Sequence, residues 1–252
     1  MSDLAGRTVL VTGAGKRIGR AVVLGFAAEG AHCLVHYHLS ELHAAEVVQE
    51  CRALGVRAEA LRADLRRTDE IEALARAAVD RGAEILVYNA STFTRLPFLE
   101  NEPAAHAAML ARDWELHVAA PYLLSRILGE HMVERGFGRI VLFGDWSTGA
   151  AVYRHYAPYI VSKAAVPTLA KVLALELGSR CPAITVNAVL PGPTIPPEGH
   201  DPEDYEMVRR QTVSGAWVGP EEIVRATLFF AKSEKITGTA LAVDGGRAIK
   251  AL

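Results

Sequence analysis

The chain lacks most of the features that would take it out of the ordinary globular class. Among 252 residues there are three cysteines, Cys33, Cys51 and Cys181, odd in number and far apart. That excludes a disulfide framework and fits reduced thiols in a cytoplasmic protein. There is no excess of either charge: the formal net charge is −2, so neither nucleic acid nor a membrane surface is expected as a partner. Long apolar runs are missing too. The longest, such as Ile140–Phe143, are strand length, and Met1-Ser2-Asp3 leads straight into the first strand without a signal peptide. No Pro/Gly/Ser linker or charge run divides the chain, so residues 1–252 read as one domain. Histidines are plentiful, but His32, His36, His38 and His43 have no Cys or carboxylate at metal-ligand spacing, and no metal is expected.

Half of the residues are hydrophobic, enough for a large core. The chain is organised around its residues 7–20. Thr8 to Val11 have strand propensity and end at a turn containing Gly13, Gly15 and Gly19, and a helical pattern follows from Arg20 to Glu29. Strand, glycine turn and helix together receive a pyrophosphate: the glycines let phosphate oxygens approach the backbone, and the free N–H groups at the positive helix end meet the charge. The spacing departs from G-x-G-x-x-G, because position 18 is Ile18.

Strand and helix patterns then alternate to the end. Strands are expected at 31–38, 57–62, 84–88, 139–143, 183–190 and 239–243. Helices are expected at 41–54, 68–81 with Thr68 as N-cap, 103–133 with a possible break near Pro121, 156–177 and 220–231. This alternation predicts an α/β fold, a doubly wound parallel sheet of Rossmann type covered on both faces. Ligands bind such sheets beyond the carboxyl ends of the strands, so loops 12–19, 89–93, 144–148 and 191–194 should converge on one cleft. Residues 195–216, rich in Pro, Gly and charge, read as a mobile substrate flap.

The tip of the second strand chooses the cofactor. A carboxylate about 20 residues past the glycines would bind the ribose of NAD. The tip here is His36-Tyr37-His38-Leu39-Ser40, with no carboxylate before Glu41. Its absence, with Arg17 in the turn and donors on His38 and Ser40, favours NADP. Asp64, after the third strand, is a candidate helix cap or an acceptor for an adenine amino group. Tyr159 and Lys163 stand four residues apart on a predicted helix, hence on one face. A cation near a phenol favours phenolate, which would lower the tyrosine pKa toward working pH.

Together Thr12–Gly19, Asn89-Ala90, Tyr159-x-x-x-Lys163, Pro191-Gly192 and Asp244-Gly245-Gly246 resemble the short-chain dehydrogenase/reductase family over nearly the whole chain. The resemblance implies NAD(P)-dependent oxidoreduction and a homotetramer acting on a small molecule. It also implies Tyr159 as proton donor or acceptor, and Lys163 on the ribose hydroxyls. Asn89, Ala90, Pro191 and Gly192 would lie along the cofactor, with Asp64 and Leu65 by the adenine.

Departures point to one branch. The family's serine before the tyrosine is replaced by Asp145-Trp146-Ser147, its middle turn glycine by Arg17, and its helix asparagine by His117. These, with His36-Tyr37-His38 and Asn89-Ala90-Ser91-Thr92-Phe93, are similar to the pteridine reductases. For that branch Gly13, Arg17, Ile18, Gly19, His38, Ser40 and Ser91 would serve the cofactor. Phe93 would stack a flat heterocycle, and Trp146 would form a second wall or belong to the core. Asp145 and Tyr159 would handle the proton. Leu39, where that branch carries arginine, runs against the NADP reading. A carboxylate only accepts hydrogen bonds, so Asp145 suits the N–H groups of a pterin better than a ketone. If Asp145 is only a cap, Ser147 is the working hydroxyl, and the chain is an alcohol dehydrogenase or 3-oxoacyl reductase. A non-catalytic NADPH sensor is the remaining alternative.

Overall fold

The computed structural model describes residues 2–149, 153–196 and 202–250. Seven parallel strands form one sheet in the order β3-β2-β1-β4-β5-β6-β7. They are β1 Thr8–Val11, β2 His32–Tyr37, β3 Ala58–Arg62, β4 Ala83–Tyr88, β5 Gly138–Phe143, β6 Ile184–Pro191 and β7 Ala240–Val243. The helices between them are α1 Arg17–Ala28, α2 Glu41–Ala53, α3 Thr68–Asp80, α4 Pro103–Trp114, α5 Ala120–Arg135 and α6 Ala157–Arg180. After β6 come α7 Pro202–Arg210, α8 Pro220–Lys232 and α9 Arg247–Lys250.

Every residue of β1 and β5 is buried, as a parallel sheet covered on both faces requires. Alternate side chains divide between two cores. Leu10, Leu86, Ile140 and Leu142 pack with Leu74, Leu124, Leu128 and Leu173. Val9, Val11, Ile85, Val87 and Val141 pack on the other face with Val22, Phe26, Val47, Ile223 and Phe230. Among the described residues no helix is long and apolar enough to cross a membrane.

The strand order reverses at β1, which pairs with both β2 and β4. This switch point opens a crevice at the carboxyl ends of the strands, where α/β sheets bind their ligands. Element boundaries fall close to those the periodicity predicts, with three corrections. Thr68 is the first residue of α3 rather than its cap; Arg67 holds the cap position, without a side-chain bond. The helical stretch past Pro103 is not broken at Pro121 but changes pitch just before it, in a π-helical turn over Glu115–Ala119. Within 195–216, residues 202–210 form α7, a mostly polar helix of nine residues in a stretch whose Pro, Gly and charge read as a loop. Residues 197–201 of that flap lie outside the described residues.

Candidate active site

The glycine turn is built by hydrogen bonds that come from three strands. Asn89 Nδ2 donates to the carbonyls of Thr12 and Gly13 at 3.0 and 3.1 Å, and the Thr12 hydroxyl accepts from the N–H groups of Asn89 and Ala90. Gly13 N–H donates to His36 Nδ1 at 3.1 Å, while His36 Nε2 bonds the Ala63 carbonyl. The proton is therefore on Nε2. Burial holds this imidazole's pKa down at about 4. A Cβ on Gly19 would lie 2.2 Å from the Gly13 carbonyl oxygen, which is why the position takes no side chain.

A groove of about 810 Å³ runs from this turn across the tip of β2. It brings together Gly13, His38, Ser40, Asp64, Leu65, Ala90 and Ser91. Its size, its glycine floor and the donors on its walls fit a nicotinamide dinucleotide. Gly19 and Asn89 stand behind the turn and shape it. Pro191 and Gly192 continue β6, with Gly192 against Asp244: a Cβ there would meet the Asp244 Cα at 2.5 Å.

Arg17 is not in the groove. Its guanidinium donates to the carbonyls of Ile195 and Pro196 at 2.5 and 3.1 Å, tying the turn to the segment after β6. The cation of the turn that lines the groove is Lys16, a residue the motif comparison passed over. Arg17 also has φ +52, the left-handed region that explains the family's glycine there. Asp64 forms a bidentate pair with Arg66 at 2.6 and 2.8 Å and lies 3.7 Å from His38. The Arg66 pair holds the Asp64 carboxyl down at about 2. It does not cap α3.

At the other end of the crevice Tyr159 and Lys163 occupy the first turns of α6, both buried. The Tyr159 hydroxyl donates to Asp145 Oδ2 at 2.7 Å. Asp145 Oδ1 accepts from the Ser147 N–H at 2.9 Å and its hydroxyl at 2.5 Å. Asp145 thus caps the short 3₁₀ turn Trp146–Gly149 and, with its second oxygen, faces the tyrosine. Lys163 Nζ donates to the Phe143 carbonyl at 2.8 Å and is 6.0 Å from the Tyr159 ring centroid. Burial lowers its pKa to about 8. The expected lowering of the tyrosine pKa is reversed: burial first, then the Asp145 charge, push the phenol well above its ordinary value. Two effects that favour the neutral form outweigh one distant cation, so Tyr159 is held as a proton donor.

Phe93 is half exposed. It stacks on Tyr156 at 4.1 Å and meets the edges of Tyr159 at 4.9 Å and Tyr153 at 5.8 Å. Trp146 is buried behind Tyr153, to whose hydroxyl its indole N–H donates, so it is core and not a second wall. Tyr153 and Tyr156, absent from the expected set, supply that wall. Their signal was an aromatic pair just before Tyr159, legible as Tyr-x-x-Tyr-x-x-Tyr.

His117 sits on the π-helical turn and is buried. Its Nε2 accepts from the Thr92 N–H at 3.3 Å and lies 2.9 Å from the Ser91 hydroxyl. The Nδ1 proton therefore points at Ser162 Oγ, 2.8 Å away, and Ser162 in turn donates to the Tyr159 carbonyl. One imidazole joins the loop carrying Phe93 to the helix carrying Tyr159. Ser91, expected on a cofactor phosphate, is bonded into this link while still lining the groove. Burial, then Lys163 and Arg112, hold His117 neutral with a pKa of about 2.

Comparison with known proteins agrees with this geometry. Residues 13–248 match the family model described as enoyl-(acyl carrier protein) reductase. The 3beta-hydroxysteroid dehydrogenase 1 of Eggerthella lenta is 31% identical, over 97% of this chain and 94% of that protein. The L-rhamnose 1-dehydrogenase (NAD(P)(+)) of a Sphingomonas species is 32% identical over 98% of each. Among solved structures, FolM alternative dihydrofolate reductase 1 from Brucella canis, complexed with NADP, superposes with a TM-score of 0.87 at 28% identity, covering 98% of this chain and 96% of that one. With a buried tyrosine–lysine pair at one end of a dinucleotide-sized groove and relatives matching end to end, the chain belongs to the short-chain dehydrogenase/reductase family, as an oxidoreductase of carbonyl-type substrates that uses a nicotinamide cofactor.

Proposed function

We propose that this enzyme is an NADPH-dependent reductase of a C=N or C=O bond in a pteridine-like ring. The observation that carries the reading is the 2.7 Å bond from the Tyr159 hydroxyl to Asp145 Oδ2. A substrate that displaces this bond meets an acceptor and a donor side by side: a carboxylate that only accepts and a phenol kept protonated. A substrate matches the pair when it offers an N–H beside a basic nitrogen or oxygen, as the amidine-like edge of a pterin does. A simple ketone can accept from Tyr159 but leaves Asp145 facing a lone pair. The exposed face of Phe93, backed by Tyr156, suits a flat ring.

When bound, the nicotinamide supplies hydride. The chain's residues do the rest. Tyr159 delivers the proton from its hydroxyl to the nitrogen or oxygen of the reduced bond, Asp145 orients the ring, and the buried Lys163, 6.0 Å from the tyrosine ring, carries positive charge on the side of the phenolate that results. NADPH is favoured over NADH because Lys16, His38 and His43 line the groove beside Ser40. The carboxylate of Asp64 is already neutralised by Arg66. FolM's complex with NADP and a name covering dihydrofolate reduction support both halves of the reading. We further propose a homotetramer, which the exposed Val161, Val172 and Leu175 on α6 would suit.

A second reading has its own support. The Ser147 hydroxyl is 2.5 Å from Asp145, and two relatives are named for oxidation of an alcohol or sugar. There Ser147 would turn toward a substrate carbonyl. Oxidation of NADPH, with NADH alongside, in the presence of dihydrobiopterin, dihydrofolate and a ketone panel separates the two. Pterin turnover with NADPH preferred supports the first reading. Turnover of ketones alone assigns Asp145 to capping.

A further inference from the structure

The aromatic cluster around Tyr159 has a cation at its edge that nothing in the reaction above uses. Arg247 opens α9, directly after the Asp244-Gly245-Gly246 turn. That turn is fixed in place. Asp244 Oδ1 accepts from the Gly246 N–H at 2.9 Å and Oδ2 from the Ala248 N–H at 2.8 Å. Gly246 packs so closely that a Cβ would come within 2.8 Å of Val213 Cβ. The Arg247 guanidinium is aimed inward. It lies 4.7 Å over the Trp146 ring and 5.8 Å from the Tyr153 ring. One nitrogen donates to Gln211 Oε1 at 2.5 Å.

These contacts orient the guanidinium without neutralising it. Of its five N–H donors, one has a side-chain oxygen, and that oxygen is uncharged. Among the described residues no carboxylate forms an ion pair with Arg247. Lys250, one turn on, donates to the Thr212 carbonyl at 2.9 Å and likewise pairs with no described carboxylate. Asp145, the acid of this pocket, has both oxygens engaged by Ser147 and Tyr159. A contiguous set of rings, Trp146, Tyr153, Phe93 and Tyr159, runs from the guanidinium to the reacting hydroxyl.

We propose that Arg247 is a specificity-determining residue, selecting substrates that carry a carboxylate on the far side of a planar group from the bond reduced. The planar group would lie along the aromatic wall, its reactive end at Tyr159 and its carboxylate on the guanidinium fork, whose geometry matches two oxygens. The stacked rings keep that fork from turning into solvent and exclude water from one of its sides, which strengthens the pairing. This rests on the assignment of the Tyr159 pocket as the reaction site.

Two measurements on the full chain keep the two ideas apart. Calorimetry with NADP+ present compares benzoate with benzamide, which differ in charge but hardly in shape. Benzoate is expected to bind at least about tenfold tighter, the difference of one charge-assisted contact. The gap should close in Arg247→Met and survive in part in Arg247→Lys. Equal binding of the two probes by the wild type overturns the proposal without reference to any variant, as does an Arg247→Met protein of native melting temperature that keeps the gap. Turnover is read separately, as the ratio of kcat/KM for 4-formylbenzoate to that for its methyl ester. A ratio above about ten in the wild type, falling toward one in Arg247→Met through KM, supports the proposal; a ratio near one in the wild type overturns it. If no pterin, ketone or aldehyde consumes NADPH, the reading of Tyr159 fails, and the calorimetry still decides Arg247.

Discussion

Two neutral, buried histidines should make this fold sensitive to mild acid. His117 has its pKa held at about 2, chiefly by burial and then by Lys163 and Arg112. His36 is held at about 4, again by burial. In the unfolded chain both return to about 6.5. The unfolded state therefore binds the extra protons as pH drops below 6.5, and folding loses stability there. At pH 5 the gap is about 1.5 units. At ~1.36 kcal/mol per unit, each imidazole removes about 2 kcal/mol, or ~4 kcal/mol together, a large part of an ordinary domain's ~5–15 kcal/mol. Lys163 adds little in this window, because its folded value of about 8 leaves it mostly charged in both states. Asp113, whose carboxyl burial pushes up, acts in the opposite direction. Subtracting the wild type's change between the two pH values from each variant's removes that common background. Urea unfolding at pH 7.5 and 5.0 is the assay. His117→Asn places the family's asparagine on the π-helical turn and should lose about 2 kcal/mol less than the wild type between the two pH values. His36→Asn should do the same, and the two savings should add, since the side chains share no partner. If His117→Asn weakens in acid as steeply as the wild type, His117 is not held neutral and the hydrogen-bond assignment around it is wrong.

Tyr159→Phe should cut kcat by about 10² or more, the usual share of a general acid, with NADPH affinity changed less than about threefold; near-native turnover would refute the proton assignment. Asp145→Ser, restoring the family's hydroxyl, should lower kcat/KM for a dihydropterin about tenfold relative to a ketone, about the worth of one charge-assisted bond. An unchanged ratio would make Asp145 a cap alone. Gly19→Ala drives a Cβ to 2.2 Å from the Gly13 carbonyl, so the melting temperature should fall with a cost of ~1–3 kcal/mol. Calorimetric NADPH affinity should fall too, and an affinity equal to the wild type's would show that the turn does not hold the cofactor.

What the sequence reveals here is what is local. The β1–glycine turn–α1 unit and the Tyr159–Lys163 pair depend on neighbours within a few positions, so spacing alone locates them. What escaped depends on distant partners. Tyr153 faces Trp146 and Phe93 across loops, and His117, placed by spacing at the family's asparagine, reaches Ser162, 45 positions away, a link that spacing does not show. Lys16 and Arg17 are adjacent cations whose roles no motif separates: the left-handed backbone at Arg17 sends one side chain toward Ile195 and leaves the other on the groove. The direction of the Tyr159 pKa failed for a related reason. Spacing shows that a lysine is near, but not that burial and Asp145 together outweigh it.

Arg17 shows how the departures from the family pattern fit together. A non-glycine residue at φ +52 carries a strain of ~1–2 kcal/mol, which a glycine would avoid. Two charge-assisted bonds to Ile195 and Pro196 offset it. The turn that would hold the pyrophosphate is thereby fastened to the strand-end segment leading toward α7. Lys16, which needs no special backbone conformation to face the groove, is the cation of the turn left to meet a phosphate there. On the other side of the crevice His117 performs the same kind of joining, between the Phe93 loop and α6. Each substitution replaces a small or flexible family residue with a longer side chain that spans two loops. The crevice is thus braced on both flanks by long side chains, and the Asp145–Tyr159 pair keeps its 2.7 Å geometry between them. A pocket that recognises its substrate by a matched donor and acceptor depends on that rigidity more than one that needs only a single donor to a carbonyl.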